Sequence, residues 1–151
     1  MIITIENRQK QIKIDKMRVR NMLRKILTIT SCIDKEISVV FVNDSMITEL
    51  NRLYLGRNHP TNVLSFALSE GAFGDLNPFL LGDIIISVER TLTDAQSAGL
   101  PFEDELDFLM IHGILHLIGY DHENVSVREK RRMHEKEKDL FYRLKGYPLK
   151  R

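Results

Sequence analysis

Three observations predict an α+β domain, a small mixed four-stranded sheet packed with helices. Short β-branched runs alternate with stretches of helical periodicity in the order β-α-β-α-β-β-α-α-α. The run from Leu106 to Ile118 is apolar nearly all round, the mark of a central buried helix. The 151 residues contain no repeat, low-complexity segment or linker, so they form one domain, 1–151, large enough for a single core.

The elements follow in order. Ile2 to Glu6 alternates as a short strand. From about Asp15 to Thr28, Met17, Leu23, Ile26 and Leu27 recur near helical spacing among basic residues. "EISVVFVN", Glu36 to Asn43, reads as a buried strand. Ser45 is placed to cap a helix carrying Leu50, Leu53 and Tyr54, which Gly56 ends. "NVLSFAL" (Asn62 to Leu68) and "GDIIIS" (Gly82 to Ser87) are two more strands. The loop between them, "SEGAFGDLNPF", is long enough for a flap or a substrate rim. A helix from about Val88 to Ala98 stops at Gly99. The central helix starts near Pro101, with Glu103, Asp104 and Glu105 where the helix dipole favours negative charge. Gly119 breaks it, and Ser126 with Glu129 forms a capping box for a last helix that Gly146 and Pro148 end.

Composition narrows the class. With 43% hydrophobic and 28% charged residues, the chain has the make-up of an ordinary globular protein. No segment reaches the roughly 18 apolar residues of a membrane span, and "MIITIENRQK" lacks a signal-peptide pattern. Cys32 is the only cysteine, which excludes an intrachain disulfide and suits a small core residue in a reducing cytoplasm. The net charge of +1 is neutral on nucleic acid, but between Arg8 and Lys25 eight Lys/Arg accompany one acid, Asp15. "REKRR", Arg128 to Arg132, is a second basic knot. These are solvated helix faces, or a basic surface that meets phosphates.

The chemistry gathers in "HGILHLIGYDH", His112 to His122. Residues i and i+4 of a helix share a face, about 6 Å apart at Cβ, so His112 and His116 can point at one ion. Gly119 accepts backbone angles that let the chain reverse and bring His122 back beside them. Three neutral imidazoles suit one Zn²⁺ per chain and leave a fourth position for water. A closed structural site is the alternative, with Asp121 or Glu123 as a carboxylate ligand. His134 is expected in solvent and His59 in an unremarkable loop.

The spacing is the long zinc-protease frame H-E-x-x-H-x-x-G-x-x-H, with Gly113 in place of the catalytic glutamate. Zinc lowers the pKa of bound water from 15.7 to about 7, so hydroxide is available without that base. The base is worth about 10² to 10⁴ in rate, so another acceptor is expected: Asp121, or an oxygen of a phosphodiester substrate. Gly113 would also leave room beside the metal for a bulky group.

"HGILHLIGYDH", with "HPTNVLSFAL" and "LGDIIIS", resembles the signature of the bacterial YbeY family of metal-dependent endoribonucleases, from Leu50 and Asn51 to the C-terminus. The resemblance implies a fold related to zincin proteases and a catalytic zinc on His112, His116 and His122. It implies action on single-stranded RNA in 16S rRNA 3′-end maturation and ribosome quality control, with the ribosome or its proteins as partners. No membrane is expected, and a monomer is. Relatives commonly carry Arg directly after the tyrosine of "YLGRNHPT", where Leu55 stands here. Arg57, two residues on, is the replacement guanidinium for phosphate. Asn58 stands where an acid is frequent, a less negative loop that favours RNA. The rival readings are a zinc peptidase, against which the absent glutamate counts, and a non-enzymatic ribosome-associated module with structural zinc.

Overall fold

The computed structural model describes residues 1–67, 79–120 and 126–151. The order of elements is the expected one: β1 (Ile2–Asn7), α1 (Lys16–Ile29), β2 (Glu36–Val42), α2 (Asp44–Leu55), β3 (Val63–Ala67), β4 (Leu80–Ser87), α3 (Val88–Ala98), α4 (Phe102–Leu117) and α5 (Val127–Lys145). The strands form one sheet in the order β1-β2-β4-β3. β1, β2 and β4 run parallel, and β3 pairs antiparallel with β4. The architecture is therefore α+β with a mixed four-stranded sheet, as predicted.

Strand alternation divides the interior in two. Ile37, Val39 and Phe41 of β2 and Ile84 and Ile86 of β4 join the main core with α1, α4 and α5. Val42, Ile47 and Leu64 form a smaller core under α2, flanked by Val40, Phe66 and Ile85. Cys32 is buried in the main core, as expected of a small apolar residue.

Short polar side chains start most helices by accepting orphan backbone N–H groups. Asp15 accepts from Arg18, Ser87 from Arg90 and Ser126 from Glu129. The cap of α2 is Asn43, whose Oδ1 accepts the Met46 N–H at 2.8 Å, and not Ser45. Asn43 ends the strand with extended backbone, so the turn begins two residues early. Leu53 and Tyr54 are mostly exposed, since α2 buries Ile47 and Asn51 instead. Met17 likewise falls outside the buried stripe of α1.

α4 is the central helix, buried from Glu105 through Ile111 and again at Gly113 to Leu115 and Leu117. Two of its carboxylates are fully buried and must be paired. Arg18 of α1 places both guanidinium nitrogens on Asp107 at 3.1 Å, and Lys145 at the end of α5 donates to the same group at 2.7 Å. Arg151 pairs with Glu105 and lies over the Phe108 ring, 4.3 Å from its centroid. The basic run Arg8 to Lys25 is thus not wholly a solvated face: Arg18 holds Asp107, and Arg20 donates to the Ile3 carbonyl at 2.5 Å. Among the described residues, no helix is long and apolar enough to cross a membrane.

Candidate functional site

His112 and His116 stand one turn apart on α4, and both line a cavity of about 420 Å³. Its opposite walls are β3, the last turn of α2 and the loop after it, with Arg57, His59, Asn62 and Ser65 on the lining. That loop is shaped by α2 itself. Gly56 takes the left-handed cap at φ 69°, and the Arg57 N–H donates to the Asn51 carbonyl at 3.3 Å. Buried Asn51 donates its side-chain amide to the His59 carbonyl at 2.9 Å. Arg57 is thereby carried to the same cavity as the two histidines. Leu55 lines the same cavity, so both the position without arginine and Arg57, two residues on, border the site.

The helix stops after Leu117. The Tyr120 N–H closes on the Leu115 carbonyl at 3.0 Å, and Gly119 takes φ 110°, where a Cβ would be strained. The helix therefore ends where the sequence predicts a break, at Gly119. The Tyr120 ring lies 5.3 Å from the Arg132 guanidinium, against α5. Asp121, His122 and Glu123 lie outside the described residues, as does the loop sequence from Ser69 to Pro78. Among the described residues there is no group of three metal-ligating side chains; the predicted pair His112 and His116 is brought together.

His112 also borders a second cavity of about 320 Å³, lined by Asn62, Phe108, Lys130, His134 and Glu137. Its Nδ1 lies 3.5 Å from Oε2 of Glu137 on α5. Glu137 is a buried residue that sequence reasoning passed over. The signal was there: it sits in the buried stripe Met133, Leu140, Phe141 of a helix whose other acids face water. His134, expected in solvent, is partly covered and meets the Arg151 carbonyl through Nε2 at 2.8 Å. His59 is in the loop as expected, but on the cavity wall.

Gly113 does not leave room beside the histidines. A Cβ there would lie 2.8 Å from Cδ1 and 3.1 Å from Cγ2 of Ile84. The missing side chain lets α4 settle onto β4, so the glutamate of the protease frame has no space in this packing.

Known proteins resemble this chain in sequence and in fold. The family described as "Endoribonuclease YbeY" matches residues 4–145. The endoribonuclease YbeY of Syntrophus aciditrophicus is 52% identical over 149 residues, 99% of this chain and 93% of that protein. That of Geobacter sulfurreducens is 48% identical over 141 residues, 93% of this chain and 94% of the relative. In solved structures, the solution structure of TM1509 from Thermotoga maritima matches with a TM-score of 0.66 at 31% identity, covering 96% of this chain and 90% of that one. The class is thus that of nucleases, hydrolases that cut RNA within the chain. The chain belongs to the YbeY endoribonuclease family.

Proposed function

We propose that this chain is a zinc-dependent endoribonuclease of single-stranded RNA, with one ion held by His112, His116 and His122 in a zincin-like helix-and-loop arrangement. The observation that carries the reading is the shared cavity of His112, His116 and Arg57. The donor set fits the ion: two imidazoles lie one turn apart on one cavity wall, and Gly119, at φ 110°, follows the helix end shortly before the third histidine in sequence. When bound, zinc supplies a water acidified to a pKa of about 7 and positive charge against the phosphate.

The other steps belong to the protein. Arg57 binds and orients the phosphodiester through its planar fork of donors. Asp121 takes the proton of the attacking water, or a phosphate oxygen takes it in its place. The family resemblance extends the role to 16S rRNA 3′-end maturation and ribosome quality control, by a cytoplasmic monomer that meets the ribosome or its proteins.

The test is cleavage of end-labelled single-stranded RNA by zinc-loaded protein, with folded His116→Ala beside it. Cleavage by the first and not the second is expected. Equal cleavage by both would overturn the metal-site assignment.

A further inference from the structure

Buried carboxylates are rare unless something compensates them, so each one asks for its partner. On α4 the answer is a fixed cation: Arg18 and Lys145 for Asp107, and Arg151 for Glu105. On α5, Glu137 is buried in the stripe of otherwise apolar residues Met133, Leu140 and Phe141. Its polar contact among the described residues is with His112, Nδ1 to Oε2 at 3.5 Å, within ion-pair distance and a little longer than the roughly 3 Å of a formed N–H···O bond. The Phe108 ring stands one turn before His112 on the same helix, with centroids 6.3 Å apart, and bounds the imidazole on another side.

We infer that Glu137 is a positioning residue for His112, the carboxylate that accepts its Nδ1–H and so presents Nε2 to the cavity as the ligand nitrogen. The inference rests on the metal-binding reading above. An imidazole can bind a cation through either nitrogen, and which one is available depends on the hydrogen bond the other makes. Without an acceptor at Nδ1, the ring exchanges between tautomers and orientations, and a fraction of molecules shows the wrong nitrogen to the ion. The contact also ties α5 to the centre of α4. A helix far from His112 in sequence therefore tunes the ligand's geometry.

The experiment uses the full chain stripped of metal, as wild type, Glu137→Gln, Glu137→Leu and His116→Ala. Gln keeps the volume and weakens the acceptor; Leu suits the apolar stripe and removes it. Zinc affinity is read by competition with a chromogenic chelator, folding by melting of the metal-free proteins, and the His112 tautomer by long-range proton–nitrogen NMR correlation. We expect wild-type His112 as the Nδ1–H tautomer. At least one folded Glu137 variant should show mixed tautomers and zinc binding weakened about 10- to 100-fold. Folded Glu137 variants with wild-type affinity and tautomer would overturn this inference alone, provided His116→Ala has lost zinc. A wild type that binds no zinc, or His116→Ala binding as tightly as wild type, overturns the metal centre and this inference with it.

Discussion

Gly113 occupies the place of a catalytic acid, and the structure gives its reason in packing: Ile84 of β4 fills the space a side chain would need. Overpacking a closed core costs about 1 to 3 kcal/mol, so Gly113→Ala should lower stability by that amount in urea titration. Gly113→Glu, which restores the protease frame, should fail to fold instead of gaining peptidase activity; a folded, peptide-cleaving variant would refute this. Asp83, on the other face of β4, carries a different strain. Burial raises its pKa, and a hydrogen bond from Ser38 offsets only part of the rise. A raised carboxyl pKa means a contribution fully present below the unfolded value and lost as pH rises through the folded one. Asp83→Asn should therefore raise the urea midpoint at pH 7 and leave it unchanged below the ordinary carboxylate range. A drop at pH 7 would show that the charge is stabilising. Both residues stand in quoted motifs, but only the neighbour across the interface reveals what each one does.

The helices are joined by a charge cluster built around the first half of α4. Removing one partner of a buried ion pair costs about 3 to 5 kcal/mol, so Asp107→Ala should destabilise by that order in urea or thermal melts. A loss under about 1 kcal/mol would mean Arg18 and Lys145 find other partners. The cluster also has two pH limbs. Burial alone would raise the Asp104 pKa, but Lys145 and Tyr147 hold it below the usual carboxylate range. Its contribution is present above the unfolded value and fades as pH falls through the folded one. Burial would lower Lys145, but Asp104 and Asp107 raise it. Tyr147 is pushed up to about 12, by burial first and then by its hydrogen bond to Asp104. Both raised groups stabilise below their unfolded values and lose that effect as pH rises through the folded ones, so the cluster weakens in alkali. Ultraviolet titration should find one tyrosine ionising near 12, and Tyr147→Phe should remove it. Element by element, periodicity and turn signals located each helix and strand of the described residues. The shift from Ser45 to Asn43 was missed because two polar residues two positions apart both offered local caps, and the extended backbone at Asn43 chose between them.

The molecule as a whole has its own core on both faces of the sheet, from which folding without an ion is expected. Chelation should leave helix content and cooperative melting intact while abolishing RNA cleavage, as read by circular dichroism beside the cleavage assay. Unfolding on chelation would support the structural-zinc alternative instead. The family, the order of the nine elements among the described residues and the pair His112 and His116 were legible from the chain alone, because helical spacing, strand alternation and turn glycines are local properties. What only tertiary structure decided is whatever joins distant residues. It set the strand order β1-β2-β4-β3 and the Gly113–Ile84 fit. It brought Arg57 to the histidines through Asn51, and set Glu137 against His112. Such contacts depend on which surfaces close together when the core excludes water, and no pattern of near neighbours along the chain encodes that alone.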